Sequence, residues 1–209
     1  TRLALQIVAD LLEDGEEPVI FVPLAPVTAP DMAPLAIAEA VGASAPDPGS
    51  VLDALTAALR ETPATLVLDN FEHLLPAAPL VTQLLAACPD LTVLVTSRSL
   101  LRVEGEHVVP IPPLSFPALD TTQAVTEIAQ SPAVRLFADR ARAVTGAFEL
   151  DETTAPVVIE ICRRLDGIPL AIELAAARAN HVPLPVLRDR LERPLQLLTQ
   201  GGRDRPLRM

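Results

Sequence analysis

The sequence has no lysine, no tryptophan and no tyrosine, and only two cysteines among 209 residues. With aromatics at 2% of the chain, Leu, Val, Ile and Ala must fill the core, which favours helices and parallel strands. Cys88 and Cys162 have neither close spacing nor histidine partners. That argues against a disulfide framework or a zinc site, makes both small core residues, and sets a reducing cytoplasm as the expected compartment. All 16 basic residues are arginine, and the formal net charge is -11. A segment this acidic is not expected to bind nucleic acid directly, because affinity for a phosphate backbone rests on clustered Lys and Arg. No apolar run reaches the roughly 18 residues of a membrane span. The first residues also lack the charged-then-apolar layout of a signal peptide, so no membrane partner is expected.

What is present is a chain that is half apolar and long enough for one large domain or two small ones, and two unequal parts are expected. Leu3, Leu5, Ile7, Val8, Leu11 and Leu12 recur at helical spacing up to Asp14-Gly15. Val19 to Val22 is a short continuous apolar run, the mark of a strand covered on both faces. The pattern returns at Thr65 to Leu68, ending in Asp69, and at Leu91 to Val95, ending in Thr96-Ser97-Arg98. Helical stretches from Met32 to Val41, Val51 to Leu59 and Leu74 to Ala87 lie between them. This alternation predicts a parallel α/β sheet.

Val108-Val109 is a further strand candidate, and the prolines from Pro110 to Pro117 then forbid regular helix. The boundary belongs there, giving an α/β domain over 1–114 and an all-helical subdomain over 115–198. Helices are predicted from Pro132 to Val144, Thr153 to Leu165, Pro169 to Ala179 and Pro183 to Leu191, with Asp120 to Gln130 either helix or loop. The stretch 199–209 reads as a linker to a further domain.

In open parallel sheets, ligands bind beyond the carboxyl ends of the strands, so polar residues directly after apolar runs come first. Leu66-Val67-Leu68-Asp69-Asn70 has the form of a Walker B strand, whose terminal carboxylate holds Mg²⁺ beside nucleotide phosphates; equally, Asp69 caps a helix entering at Glu72. Arg98, after the next strand, has a permanent charge and a fork that matches phosphate oxygens, or it is a solvated loop residue. In Asp166-Gly167-Ile168-Pro169-Leu170, Gly167 can end one helix in the left-handed conformation and Pro169 can open the next; a rigid proline there can also pack on a flat purine. His73, His107 and His181 lack metal-ligand spacing and read as structural or solvated.

In order and spacing, Val67-Leu68-Asp69-Asn70 with Glu72-His73-Leu74-Leu75, then Thr96-Ser97-Arg98, then Gly167-Ile168-Pro169-Leu170-Ala171 resembles the NB-ARC-like ATPase module of LuxR-type and antibiotic-regulatory-type STAND regulators from bacteria. The resemblance runs from Thr1 to about Arg203. It implies a P-loop NTPase core whose first strand and most of whose phosphate-binding loop precede this sequence, with Thr1 as the loop threonine that ligates Mg²⁺. It implies further that Asp69 is the Walker B carboxylate and second Mg²⁺ ligand, Arg98 the sensor of the γ-phosphate, and Pro169 the adenine contact.

Asn70 stands where hydrolytic relatives carry a second acid; an amide can orient water but not take its proton, and Glu72 is the weaker candidate for assisting water. The function implied is an ATP/ADP switch in a signal-transducing transcriptional regulator. Nucleotide exchange would re-seat the α/β part against the helical part, hydrolysis would be slow at most, and these 209 residues alone are expected to bind ATP weakly or not at all and to self-associate. The other domains of the parent protein are the remaining expected partners. Two alternatives stay open: an AAA-type mechanochemical ATPase, which Asn70 disfavours, and a protein-interaction module with no nucleotide role.

Overall fold

The computed structural model describes residues 1–15, 17–44, 48–60, 63–119 and 123–191. The chain divides into two compact units, Thr1–Val109 and Pro110–Met209. The predicted linker over 199–209 lies outside the described residues.

The first unit is built on a three-stranded parallel sheet of order β1-β2-β3, formed by β1 (Val19–Pro23), β2 (Ala64–Asp69) and β3 (Leu91–Val95). The register sets Ile20 beside Leu66 and Leu66 beside Val93, and likewise Val22 beside Leu68 and Leu68 beside Val95. Side chains alternate across a sheet, so these residues share one face. That face packs on α2 (Ala33–Val41), α3 (Val51–Arg60) and α4 (Ala78–Ala87), through Ile37, Leu55, Leu59, Val81 and Leu84. The opposite face, carrying Phe21, Thr65, Val67 and Asp69, meets α1 (Arg2–Asp14), which packs against β1 and β2. Helices on both faces explain why β2 is buried along its whole length and reads as an unbroken apolar run.

The single helix expected from Leu74 to Ala87 is one 3₁₀ turn, Leu75–Ala77, followed by α4, and another 3₁₀ turn, Phe71–His73, precedes it. Pro76 and Pro79 fall in the first turns of these segments, where a missing N–H costs nothing, and they fix where each begins. The strand expected at Val108-Val109 does not form: these valines are 57% and 76% exposed and join no ladder. Pro110 follows immediately and has no N–H with which to extend one. Cys88 and Cys162 are free and buried, as expected of small core residues.

The second unit is helical: α5 (Val125–Ile128), α6 (Pro132–Thr145), α7 (Ala155–Arg164), α8 (Pro169–Ala176) and α9 (Leu184–Arg190). Helix α6 packs on α7 and α8, and α7 on α9, around Val134, Phe137, Ile159, Ile161, Ile172 and Leu187. The Phe148 ring meets Phe137 edge-on at 6.0 Å, a favourable quadrupole arrangement. Arg140 of α6 donates to Glu173 of α8 at 3.0 Å, although Glu173 is only 5% exposed. Asp166 and Gly167 adopt left-handed backbone between α7 and α8. The Gly167 N–H reaches back to the Cys162 carbonyl at 3.1 Å, closing the end of α7. The Gly167 carbonyl accepts from the Leu114 N–H at 2.9 Å, and a methyl on Gly167 would run into the Leu114 carbonyl oxygen. Glycine is therefore required here twice over, by its φ of +66° and by the backbone lying against it.

Candidate functional site

The cluster of interest forms at the carboxyl end of the sheet, and the parallel register creates it. Because Val95 stands opposite Leu68, the next residues, Thr96 and Asp69, emerge side by side. The Thr96 N–H donates to the Leu68 carbonyl at 3.0 Å, and the Thr96 carbonyl accepts from the Phe71 N–H at 3.0 Å. Thr96 thus extends the ladder one residue past β3 and pins the turn that follows β2. Its hydroxyl donates to Asp69 Oδ1 at 2.6 Å and accepts from the Asn70 N–H at 3.0 Å.

Asp69 projects to the α1 side of the sheet, where Thr1, at the N-cap of α1, donates its hydroxyl to Asp69 Oδ2 at 2.8 Å. The Thr1 nitrogen is 3.3 Å from Asp69 Oδ1. Burial raises the Asp69 pKa, but the hydroxyls of Thr96 and Thr1 oppose it, and the carboxyl lies below its ordinary value of 3.8. The result is an ionised carboxylate, 5% exposed, with a hydroxyl on each oxygen.

Asn70 takes the left-handed conformation, φ 70° and ψ 50°, which Asn tolerates better than most residues. Its side-chain amide faces His73 Nδ1 at 3.4 Å, while His73 Nε2 lies 2.8 Å from the Val27 carbonyl oxygen. His73 therefore ties the turn after β2 to the loop after β1, in keeping with a structural reading.

Glu72 has a partner, Arg98, whose Nε donates to Glu72 Oε1 at 2.7 Å. Burial again raises the Glu72 pKa, and its own backbone N–H and the Arg98 guanidinium overcome this and leave the carboxyl below its usual range. Arg98, Ser99, Leu100, Leu101, Arg102 and Leu75 line a cavity of about 580 Å³.

Of the residues singled out from the sequence, Thr1 and Asp69 are in direct contact, and Glu72 and Arg98 pair with each other on the neighbouring loops. Asn70 joins the two groups through its backbone bond to Thr96. Pro169 belongs to the helical unit, where it opens α8 immediately after the Gly167 corner. Thr96 is the residue that sequence reasoning passed over; a hydroxyl directly after an apolar strand, beside a strand that ends in Asp, was the signal.

A carboxylate and a hydroxyl are hard oxygen donors of the kind Mg²⁺ takes, completed by phosphate oxygens and water and not by an all-protein cage. Among the described residues, no three His, Cys, Asp or Glu side chains gather to form such a cage. Among the same residues, no helix is long and apolar enough to cross a membrane.

No family model matches the chain. Over 205 residues, 97% of its length, the chain is 42% identical to proteins of Mycobacterium tuberculosis and Mycobacterium bovis that carry the name "Putative HTH-type transcriptional regulator". Over 189 residues, 90% of its length, it is 39% identical to an uncharacterized protein of Mycobacterium tuberculosis. The chain spans 21% of the length of the two regulators and 45% of the uncharacterized protein.

Proposed function

We propose that this chain is the nucleotide-binding switch module of a longer bacterial transcriptional regulator, a P-loop ATPase of the NB-ARC/STAND kind that takes ATP or ADP with Mg²⁺. The observation that carries the reading is the ionised Asp69 carboxylate at the end of the central strand, with the Thr1 and Thr96 hydroxyls on its two oxygens. A buried carboxylate held ionised at the carboxyl edge of a parallel sheet is where such folds bind phosphates. The regulatory setting comes from the relatives, whose name is that of HTH-type transcriptional regulators and of whose length this chain spans 21%.

In this reading Asp69 and Thr1 hold Mg²⁺, which supplies neutralisation of phosphate charge when bound. Arg98 contributes a permanent cation for the terminal phosphate. Pro169 is assigned to the adenine ring on the strength of the resemblance. Asn70, engaged with Thr96 and His73, offers no base for water, and Glu72 is committed to Arg98; both point to slow turnover and a signalling role.

The test is calorimetric titration of the full-length regulator with MgATP and MgADP. Both nucleotides should bind, and Asp69→Asn, which keeps an acceptor for one of the two hydroxyls, turns an NH₂ to the other and removes the charge, should weaken both by about tenfold or more. Removal of Mg²⁺ by chelation should have a similar effect on the parent and little on the variant. Absence of any heat or thermal shift with either nucleotide at millimolar concentration would refute the proposal.

A further inference from the structure

Glu72 sits in the 3₁₀ turn Phe71–His73, anchored by the fully buried Phe71 and Leu74 on either side and by the Phe71 N–H bond to Thr96. Its side chain is 14% exposed, whereas that of its partner Arg98 is 83% exposed. A fixed, mostly buried carboxylate therefore holds a long and otherwise solvated side chain. Among the described residues the bond runs through Arg98 Nε alone, at 2.7 Å, so both terminal guanidinium nitrogens remain open to another anion.

The backbone around Arg98 is fixed as well. Before it, the Ser97 hydroxyl donates to the Ser99 carbonyl at 2.7 Å and accepts from the Ser99 N–H at 3.1 Å. After it, the Glu106 carboxylate accepts from the N–H groups of Leu101 at 3.0 Å and Arg102 at 2.8 Å. Arg102 takes a left-handed φ of 58° and lines the same cavity as Arg98. Neither the loop nor the guanidinium needs to search for its place, which lowers the ordering cost of recognising a phosphate.

We infer that Glu72 is a positioning residue for Arg98: it grips the Nε edge of the guanidinium and presents the two terminal nitrogens to the terminal phosphate of a bound nucleotide. The inference rests on the nucleotide reading above and gives Glu72 a role in telling ATP from ADP. Activation of water is a poor alternative, because Oε1 is occupied by Arg98 and a carboxyl held below its usual range is a weak base.

The experiment compares MgATP and MgADP affinities of the full-length protein, its Glu72→Ala and Glu72→Gln variants, and a Glu72→Asp variant whose shorter side chain draws the charge back from Nε. Glu72→Ala and Glu72→Asp should each lose about tenfold of the preference for ATP over ADP, through weaker ATP binding at unchanged ADP affinity. Glu72→Gln, which still offers an oxygen to Nε, should keep most of that preference. An unchanged ratio in Glu72→Asp, or a ratio that rises as if a latch had been released, overturns the positioning role while leaving nucleotide binding intact. Should Glu72→Ala fail to fold, Glu72→Asp decides alone. A parent protein that binds both nucleotides equally well also overturns this inference by itself, whereas one that binds neither overturns the switch reading and this inference together.

Discussion

Gly167→Ala and Gly146→Ala form a matched pair whose difference measures the contact between the Gly167 corner and the segment around Leu114. Both glycines are left-handed, with φ of +66° and +73°. A methyl on Gly146 meets nothing within 4 Å, so its substitution incurs only the left-handed strain of an L-residue, about 1 kcal/mol. A methyl on Gly167 collides with the Leu114 carbonyl oxygen and stands 3.2 Å from the Leu114 carbon and nitrogen. These are backbone atoms and cannot rotate away.

Relief requires the Leu114 segment to move, and it is held at two points, by the Leu114 N–H bond to the Gly167 carbonyl at 2.9 Å and by the Ala133 N–H bond to the Ser115 carbonyl at 3.1 Å. Loss of the first bond adds about 1 kcal/mol, and partial loss of the packing of Leu114 against the helical core about as much again. Gly167→Ala should therefore cost about 3 kcal/mol and Gly146→Ala about 1 kcal/mol. Urea denaturation followed by circular dichroism measures both, provided the slopes stay parallel. Equal losses for the two variants would show that the Leu114 contact contributes nothing and that the corner is held by φ alone.

Removal of Arg140 takes a guanidinium 3.0 Å away from the nearly buried Glu173 carboxylate. Because Arg140 is itself half exposed, Arg140→Ala should destabilise by about 2 kcal/mol, below the usual loss for a fully buried pair, and Glu173→Gln by less, again in urea denaturation. Asp151, which accepts from the hydroxyl and N–H groups of Thr153 and Thr154 ahead of α7, has its pKa lowered from 3.8 to about 2, the Thr153 hydroxyl being the largest cause. A depressed folded-state pKa gives stability that is fully present above the unfolded value and disappears as pH falls through the folded one. The stability difference between the parent and Asp151→Asn should thus be constant above about pH 5 and shrink progressively toward pH 2, and a pH-independent difference would contradict the assignment.

Much of the fold is legible in the sequence because local signals agree with one another. The apolar runs at Val19, Thr65 and Leu91 are strands because no helical periodicity competes with them and turn formers bound them. The helices α1, α3 and α6 start and stop within about two residues of their sequence patterns, as is usual where a cap or proline marks the end. Where the reading departs, the missing information is tertiary. Val108-Val109 has the residue preference of a strand but pairs with no strand among the described residues, and preference alone forms no ladder. From Leu74 to Ala77 the helical pattern is real, but the buried Leu74 and the hydrogen bonds of the Phe71 turn hold the backbone in shorter steps before α4 can begin.

The candidate site shows the same division more sharply. Asp69, Asn70, Glu72 and Arg98 each stand out in the sequence because they follow apolar strands, and strand ends are where a parallel sheet displays polar groups. Their mutual arrangement depends on register, which no single strand encodes. A one-residue slip between β2 and β3 would turn Asp69 or Thr96 to the opposite face and separate the hydroxyl from the carboxylate. The register is in turn set by burial: only the observed pairing puts Leu66, Leu68, Val93 and Val95 together against the helices. The apolar face of the sheet therefore decides where its polar end groups meet. For the same reason Thr96 escapes notice while Arg98 does not: the importance of Thr96 lies in three hydrogen bonds to the turn after β2, at Asp69, Asn70 and Phe71, and not in any chemistry of its own. Thr96→Val, nearly isosteric but without the hydroxyl, would remove the donor to Asp69 and the acceptor for Asn70 together, so the left-handed turn and the carboxylate are coupled through one side chain.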